Sequence, residues 1–335
     1  MRRFEPGRPP LGLIDEPVGP ISRGGYALRK PMGGRAGWFA RRFGFKHFQY
    51  IGAVSDDLFV GCAIADAGLL VNSFAYVFDP RTGAMCKRGW ERPLGRGFTY
   101  NPDPDEGTSR FLGSRGSVTM SARRETGEKR LHVDLGDDFQ IDMSFVDAPP
   151  FDTLRLCTQT GATGWTYAQK VAGVPAMGRV RCSLGEFDLQ ALDAFAHHDF
   201  TAGYLRPETN WYWACLSGRA ASGEVIGFNL SSGVNESGVT ENCLWCNGEL
   251  IKVDSVLLEC DEDDLDQPWA IASHDGAVDL EFKSLGDYRA KRNLRFAGNN
   301  FHQLFGRFDG VIRCGEREIV VNEMGGFAER QYLKW

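Results

Sequence analysis

The feature that most restricts the fold of this chain is a series of short segments in which apolar and polar residues alternate. In residues 139–145 the apolar residues occupy every second position, and residues 131–135 alternate in the same way before a Gly-Asp-Asp turn. A period of two places the apolar side chains on one face of a β-strand. Further strand-like runs, rich in β-branched and aromatic residues, are residues 47–51, 58–64 and 73–78. Such spacing is typical of antiparallel barrels and sandwiches, so the sequence predicts a mainly β fold.

Helical patterns are scarce in this chain. Residues 187–196 and 285–293 are candidates for short helices, but neither has capping residues at both ends. The absence of long helices between the strands argues against a Rossmann or TIM-barrel architecture. Residues 1–44 are rich in Gly, Pro and Arg, which favours an extended N-terminal arm over a packed element.

Composition excludes several functional classes. Of the 335 residues, 42% are hydrophobic and 24% are charged, as in an ordinary folded protein. The net charge of -6 supplies no positive field for non-specific binding of nucleic acid, so no nucleic-acid partner is expected. No apolar stretch approaches the roughly 18–20 residues of a spanning helix, so we expect no integral membrane insertion.

The cysteines and the N-terminal residues indicate a cytoplasmic protein. Nine cysteines, an odd number in a long chain, fit reduced thiols better than a disulfide framework. The basic residues 1–3 are followed by Pro, Gly and Arg where a signal peptide has its apolar segment, so we expect no secretion. Cys243 and Cys246 have zinc or redox spacing, but they face opposite sides of a strand, which favours ordinary buried thiols.

Similar segments recur in the same order in the two halves of the chain. Residues 59–68 are similar to residues 225–233, and residues 165–173 are similar to residues 302–310. Ordered similarity of this kind indicates an internal duplication. The predicted organisation is an arm at residues 1–44, a first β-barrel at 45–205 and a second β-barrel at 206–335.

A set of short motifs spans nearly the whole chain: Trp211-Tyr212-Trp213-Ala214, Gly227-Phe228-Asn229-Leu230, Glu241-Asn242, residues 305–310, His47-Phe48-Gln49-Tyr50 and Ala65-Asp66-Ala67-Gly68. These motifs resemble a bacterial family of unknown function, catalogue number 2804. That family is more distantly similar to the double-lipocalin group of carotenoid hydratases, tocopherol cyclases and fungal Diels-Alderases. The resemblance implies two tandem calycin-like, or lipocalin-like, antiparallel barrels and a cofactor-free site for a hydrophobic molecule. It transfers no established activity.

Residues 196–200 form the densest polar cluster. On a strand His197 and Asp199 share one face and His198 lies on the other, so the two histidines cannot bind one metal ion, and no metal is predicted. An inward Asp199 in an apolar barrel is a candidate general acid for protonating an alkene, because desolvation raises the pKa of such a carboxyl. His198 is a candidate for contact with the substrate. The alternative is that Asp199 caps or turns the chain at a domain junction.

The second half supplies further polar candidates. Glu241 is the second candidate catalytic residue, and the amides of Asn229 and Asn242 are candidates for orienting a polar group of the ligand. A hydrogen-bond network that closes the barrel end is the alternative. Glu323 follows an apolar run and is a further candidate for contact with the substrate. It offers, with Asp199 and Glu241, the paired carboxylates that sugar hydrolysis requires.

Aromatic residues of the second half are candidates for a cavity wall. Trp211 and Trp213 share one face of a strand, and Trp245, Gln303 and Phe305 are further candidates for substrate contact. Simple core packing is the alternative for the aromatic side chains.

The leading hypothesis is a cytoplasmic protein that binds a mainly hydrophobic small molecule and catalyses its hydration, cyclisation or isomerisation by acid catalysis. It rests on the duplicated β pattern, the aromatic second half and isolated acids among apolar strands. No nucleotide, hydrolase or metalloprotease motif is present, so no cofactor is predicted. The alternatives are a non-catalytic carrier of a hydrophobic ligand and a carbohydrate-active β-sandwich enzyme with paired carboxylates.

Overall fold

The computed structural model describes residues 10–113, 116–234, 237–294 and 297–335, which form β-strands with very little helix. Up to residue 204 the elements are β1 (Gly12–Leu13), a 3-10 turn (Arg23–Gly25), α1 (Trp38–Phe43), β2 (Phe45–Val54), β3 (Phe59–Asp66), β4 (Leu70–Asp79), β5 (Ala84–Pro93), β6 (Phe98–Thr99), β7 (Gly107–Gly113), β8 (Gly116–Arg123), β9 (Glu128–Asp134), β10 (Phe139–Val146), β11 (Leu154–Thr160), β12 (Gly164–Pro175), β13 (Met177–Cys182), β14 (Gly185–Asp188) and β15 (Phe195–Tyr204). The remaining elements are β16 (Glu208–Arg219), β17 (Val225–Ser232), β18 (Cys243–Cys246), β19 (Glu249–Lys252), β20 (Val256–Glu259), β21 (Trp269–Ser273), β22 (Val278–Leu294), β23 (Ala297–Cys314) and β24 (Arg317–Lys334).

These strands form three antiparallel sheets. The eight-stranded sheet has the order β1-β11-β12-β15-β2-β3-β4-β5, and the seven-stranded sheet has the order β14-β13-β10-β9-β8-β7-β6. The nine-stranded sheet has the order β19-β18-β17-β16-β24-β23-β22-β21-β20. The first two sheets therefore come from the chain before residue 205, and the third comes from the chain after residue 207. The predicted domain boundaries at residues 45 and 206 stay a proposal.

Side-chain alternation explains why these segments become strands. In β10 the side chains of Phe139, Ile141, Met143 and Phe145 are buried, while those between them are more exposed. This confirms the period-two prediction for the segment. In contrast, β2, β12 and β17 are buried along almost their whole length. A strand covered on both faces lies between two packed layers, so these strands mark the contact between the two parts of the molecule.

The nine-stranded sheet curls on itself. β17 and β20 lie near opposite ends of its strand order, yet they contact each other. The side chains of Leu216, Phe228, Leu304 and Phe308 fill the space that the sheet encloses. A second core lies between the eight-stranded and seven-stranded sheets, and side chains of the nine-stranded sheet such as Trp213 and Phe327 extend it. These curled antiparallel sheets confirm the mainly β prediction.

The two parts meet along β12, which packs against β16, β17 and β18. Backbones approach closely there, because a Cβ atom placed on Gly227 of β17 would lie 2.6 Å from the carbonyl carbon of Ala172 in β12. Any larger residue at position 227 would push the two sheets apart. The contact fixes the relative position of side chains that are far apart in the sequence.

The structure differs from the sequence predictions in its few helical regions. Residues 187–196 form the end of β14, a turn and the start of β15, and residues 285–293 belong to β22. Long pairing of β22 with β23 outweighs the weak helical pattern there. The predicted arm is packed rather than free, since Ile14, Val18 and Ile21 are buried. None of the helices among the described residues is long and apolar enough to cross a membrane.

Candidate functional site

A cavity of about 580 Å³ lies between the eight-stranded and nine-stranded sheets. Its walls come from β2, β3, β4, β5, β12 and β15 on one side and from β16, β22, β23 and β24 on the other. Eight aromatic side chains line these walls together with polar and charged ones: Phe48, Phe74, Trp90, Trp211, Trp213, Tyr288, Phe301 and Trp335. Ligand sites are typically this size and similarly apolar, with a few polar groups placed among the apolar ones.

A buried lysine holds two carboxylates at one end of this cavity. Lys170 on β12 lies directly across the strand pair from Asp199 on β15. Its Nζ atom lies 2.9 Å from Oδ2 of Asp199 and 2.8 Å from Oε1 of Glu241. The ammonium group also lies 5.5 Å from the ring centroid of Trp213, a cation–π arrangement. The carboxylates have further hydrogen-bond partners: Oγ1 of Thr201 donates to Oδ1 of Asp199 at 3.0 Å, and the side chains of Ser231 and Asn229 bond Glu241.

The charges of this cluster follow from burial and mutual attraction. Burial alone would lower the pKa of Lys170, but the two carboxylates outweigh it and hold that pKa above its usual value. Burial opposes ionisation of Glu241 too, yet Lys170 and nearby hydrogen bonds keep the pKa of that carboxyl lowered. Burial raises the pKa of Asp199, with Lys170 opposing and Glu241 adding to the shift. Asp199 is therefore the more readily protonated carboxyl of the two.

A third carboxyl, Glu329 on β24, faces the cavity without an ion-pair partner among the described residues. The indole nitrogen of Trp211 donates a hydrogen bond of 2.8 Å to its Oε1 atom, and Nε2 of Gln303 donates one of 3.2 Å to Oε2. Burial raises the pKa of Glu329 to about 8, although both hydrogen bonds oppose the shift. Glu329 therefore carries a proton at neutral pH.

Glu329 gives the free energy of unfolding a defined pH dependence. A Glu side chain in the unfolded chain has a pKa of 4.5, so between pH 4.5 and 8 the folded protein holds one proton that the unfolded chain has lost. Its contribution to stability is fully present below pH 4.5 and is lost as the pH rises towards 8, by up to about 1.4 kcal/mol per pH unit. Urea unfolding from pH 5 to 8 should show the wild type losing stability relative to Glu329→Gln. Parallel curves for the two proteins would contradict this assignment.

Unpaired amide oxygens add a polar strip to the cavity. Oδ1 of Asn72 and Oε1 of Gln331 are buried and accept no hydrogen bond within the described part of the chain. Both side chains line the cavity, and Nε2 of Gln331 donates to Oδ1 of Asn299 at 2.6 Å. A buried acceptor without a donor is costly, so a ligand that carries a hydroxyl or N–H group would gain by binding here.

The structure brings together only part of the predicted site. Asp199, Glu241, Trp211 and Trp213 line the cavity. Asn229 and Asn242 lie behind this wall. Oδ1 of Asn229 accepts a hydrogen bond of 2.7 Å from the Trp213 indole, and its Nδ2 donates to the Glu241 carbonyl oxygen at 3.0 Å. Asn242 accepts a bond from the backbone N–H of Ser231. Both asparagines therefore hold the wall in place, as Gln303 does for Glu329.

The other predicted residues lie outside the cavity. His198 points away from Asp199, to the opposite face of β15, with Nε2 3.4 Å from Nε2 of Gln49. Trp245 donates to the Asp152 carbonyl oxygen at 2.7 Å, and Phe305 packs between aromatic rings of the core. Glu323 is exposed at an irregularity of the β23–β24 pairing, where its φ angle is 50°. The irregularity interrupts the strand parity, which is the alternation of side chains between the two faces of a strand. Sequence spacing therefore could not locate this side chain.

Strand parity did locate the two histidines. His197 lies on the Asp199 side of β15, with its ring centroid 4.9 Å from that of Phe327, and His198 lies on the other side. Burial lowers the pKa of both rings, so both are neutral at pH 7. No group of three or more His, Cys, Asp or Glu side chains in the described residues is arranged to hold a metal ion.

Glu329 and Lys170 line the cavity but are not among the site residues predicted from the sequence. Glu329 lies two residues from both Phe327 and Gln331 and so shares their face of β24, and that signal was available in the sequence. Lys170 lies in an apolar strand in the same way. An isolated charged residue at an inward position of a strand is the pattern that identifies both.

Solved structures of known proteins share this fold. The chain is similar to kievitone hydratase from Nectria haematococca, with a TM-score of 0.54, 10% sequence identity, and coverage of 85% of this chain and 88% of that chain. It is also similar to CghA, with a TM-score of 0.56, 10% identity, and coverage of 86% and 87%. At this identity the likeness shows the fold alone, and the predicted lipocalin-like fold of curled antiparallel sheets is confirmed. The N-terminal arm and the division into two barrel domains stay predictions. No curated protein is significantly similar in sequence. A family model described as "Domain of unknown function (DUF2804)" matches residues 19–335.

Proposed function

Because the chain belongs to the DUF2804 family and shares the fold of a hydratase, we propose that it binds a mainly apolar small molecule between its sheets and protonates it. The observation that carries this proposal is Glu329, a buried carboxylic acid without an ion-pair partner among the described residues, facing an aromatic cavity. The reaction class is acid-catalysed hydration, cyclisation or isomerisation.

The cavity supports a ligand that is apolar over most of its length. A volume of about 580 Å³ suits a small molecule, and the aromatic walls favour an unsaturated or ring-containing one. The free acceptors of Asn72 and Gln331 favour a hydroxyl or N–H group at one end of the ligand. The proposed substrate is therefore an unsaturated, mainly apolar compound with at least one hydrogen-bond donor.

Glu329 is the proposed general acid. Its proton is transferred to one carbon of a substrate double bond, and the π electrons of that bond form the new C–H bond, leaving a cation at the neighbouring carbon. The faces of Trp211 and Trp213 stabilise that cation. Addition of water and loss of one of its protons completes hydration, and loss of a proton from a neighbouring carbon completes isomerisation. In cyclisation a second double bond attacks the cation, the positive charge moves to a new carbon, and loss of a proton beside that carbon completes the reaction. In each case a proton is released and returns to the Glu329 carboxylate.

The cluster of Lys170, Asp199 and Glu241 is proposed to hold the polar group of the substrate in position. Asp199 already accepts hydrogen bonds from Lys170 and from Oγ1 of Thr201 at 3.0 Å, which suits an anchored group that binds water or a ligand hydroxyl. Glu241 balances the charge of Lys170. Asp199 as the acid, the role expected from the sequence, stays a competing proposal that the variants below distinguish.

Two alternatives make different demands on the site. A carrier would need the same cavity but no transferable proton. A carbohydrate-active enzyme would need two carboxyl groups free to act on opposite sides of a sugar, whereas Asp199 and Glu241 both bind Lys170. The arrangement therefore supports acid chemistry on an apolar molecule better than sugar hydrolysis.

Native mass spectrometry of the protein purified from its own host should identify the bound molecule. The purified protein is then incubated with that molecule in D2O. Protonation at carbon predicts deuterium in the product at one carbon, with wild-type protein and not with Glu329→Gln. An apolar ligand recovered unchanged and free of deuterium would establish a carrier and overturn the catalytic proposal.

A further inference from the structure

The N-terminal segment carries an excess of positive charge in the sequence. Residues 17–55 contain seven Lys and Arg residues and no Asp or Glu, although the whole chain has a net charge of -6. Six of the seven cations are exposed or half-buried: Arg23, Arg29, Lys30, Arg35, Arg41 and Arg42. Asp66 lies near Arg23 and Arg42 and balances part of this charge. The remaining cations leave a local basic surface, which attracts anionic partners.

Large exposed apolar side chains lie between these cations in the sequence. Met32 is 98% exposed, Trp38 is 66% exposed and Phe39 is 61% exposed. Met32 lies in the turn between Lys30 and Gly34, and Trp38 and Phe39 begin α1. We call these three side chains, with the six cations, the arm patch. Exposed Trp and Phe surrounded by Arg and Lys are typical of surfaces that enter the headgroup region of a bilayer.

The arm patch is held in place rather than loosely attached. Nε of Arg41 donates to the Ala36 carbonyl oxygen at 3.1 Å, which ties α1 to the preceding hairpin. The Tyr204 hydroxyl donates to the Arg41 carbonyl oxygen at 3.3 Å, which ties α1 to the end of β15. A bilayer contact here would therefore orient the whole molecule.

The patch is also next to the cavity. Nζ of Lys46, a cavity-lining residue, donates to the carbonyl oxygen of Phe43, the last residue of α1, at 2.9 Å. It donates as well to the carbonyl oxygen of Ala67, another lining residue, at 2.6 Å. Ala67, Leu333 and Trp335 are only half-buried, so the cavity approaches the surface beside α1.

We propose that the arm patch docks the protein onto an anionic phospholipid surface. The arginines and lysines bind lipid phosphates, while Trp38, Phe39 and Met32 enter the headgroup region. Docking places the adjacent cavity against the bilayer, where an apolar molecule is concentrated. The docking proposal depends only on the residues of the arm patch. The suggestion that docking helps to load the cavity rests on the proposed function. Charge complementarity and the exposed aromatic rings favour a bilayer over an acidic protein, which offers no apolar phase for these rings.

The test is co-sedimentation of the full chain with vesicles of phosphatidylcholine alone and of phosphatidylcholine mixed with phosphatidylglycerol. Wild type should bind the mixed vesicles, and added salt should weaken that binding. The affinity of the variant Trp38→Ser/Phe39→Ser for the mixed vesicles should be at least roughly tenfold below that of wild type. The same loss is expected for the variant Lys30→Gln/Arg35→Gln. A matched control is Leu257→Ser/Val320→Ser, because those side chains are 58% and 60% exposed elsewhere. The control should bind as wild type does.

Two results would overturn the docking proposal. One is wild type that binds the mixed vesicles no better than phosphatidylcholine alone, which would also be the result if an acidic protein were the partner. The other is equal binding by Trp38→Ser/Phe39→Ser and wild type, with thermal unfolding showing both to be folded. Glu329→Gln should still bind vesicles, so a failure of acid catalysis and a failure of docking are separate results.

Discussion

Replacing Lys170 with methionine is expected to lower the free energy of unfolding by about 3–5 kcal/mol, the usual cost of breaking a buried ion pair from one side. Its ammonium is the cation shared by Asp199 and Glu241, at 2.9 and 2.8 Å. Without it, two buried carboxyl groups must protonate or remain charged in an apolar site. Urea unfolding at pH 7 measures the effect.

The control for this prediction removes all three charges. Lys170→Met combined with Asp199→Asn and Glu241→Gln should recover most of the lost stability, because no unpaired charge remains. A single Lys170→Met variant within about 1 kcal/mol of wild type would show that the cluster does not depend on its lysine. Lower pH should partly rescue the single variant, since protonation neutralises both carboxyl groups.

Replacing Glu329 with glutamine is expected to reduce turnover of the host ligand by about 10²–10⁴-fold, the usual contribution of a general acid. Glutamine keeps the shape and a carbonyl acceptor for the Trp211 indole, so ligand affinity should change little. The deuterium assay measures turnover, and a titration of ligand into the protein measures affinity. Wild-type activity should fall as the pH rises above about 8, where Glu329 loses its proton.

Two matched variants make this result specific. Glu323→Gln changes a carboxyl of the same strand that is exposed and outside the cavity, so full activity is expected. Asp199→Asn tests the competing acid. If Asp199→Asn abolished deuterium incorporation while Glu329→Gln left it intact, Asp199 and not Glu329 would be the acid.

Strand parity accounts for what could be predicted. It placed Trp211 and Trp213 on one face of β16, and both line the cavity. It also separated His197 from His198, because neighbouring side chains of a strand always point to opposite faces. These are local consequences of backbone geometry, and they need no knowledge of the partner strands.

Parity could not place the cavity itself. The expectation was a ligand inside a barrel, whereas the cavity lies between two sheets whose strands are distant in the sequence. Lys170 and Glu241 are 71 residues apart, and Trp211 and Glu329 are 118 residues apart. Only the packing of β12, β16 and β24 brings them together.

The sequence by itself determined the β architecture, the inward faces of the strands and the residue types available for chemistry. The tertiary structure alone decided which carboxyl is buried without an ion-pair partner among the described residues. Asp199 and Glu241 share a lysine, whereas Glu329 is buried with only neutral hydrogen-bond donors. Side-chain direction is a property of neighbouring backbone atoms, but the pKa of a carboxyl depends on every group that replaces its water, and those groups come from the whole fold.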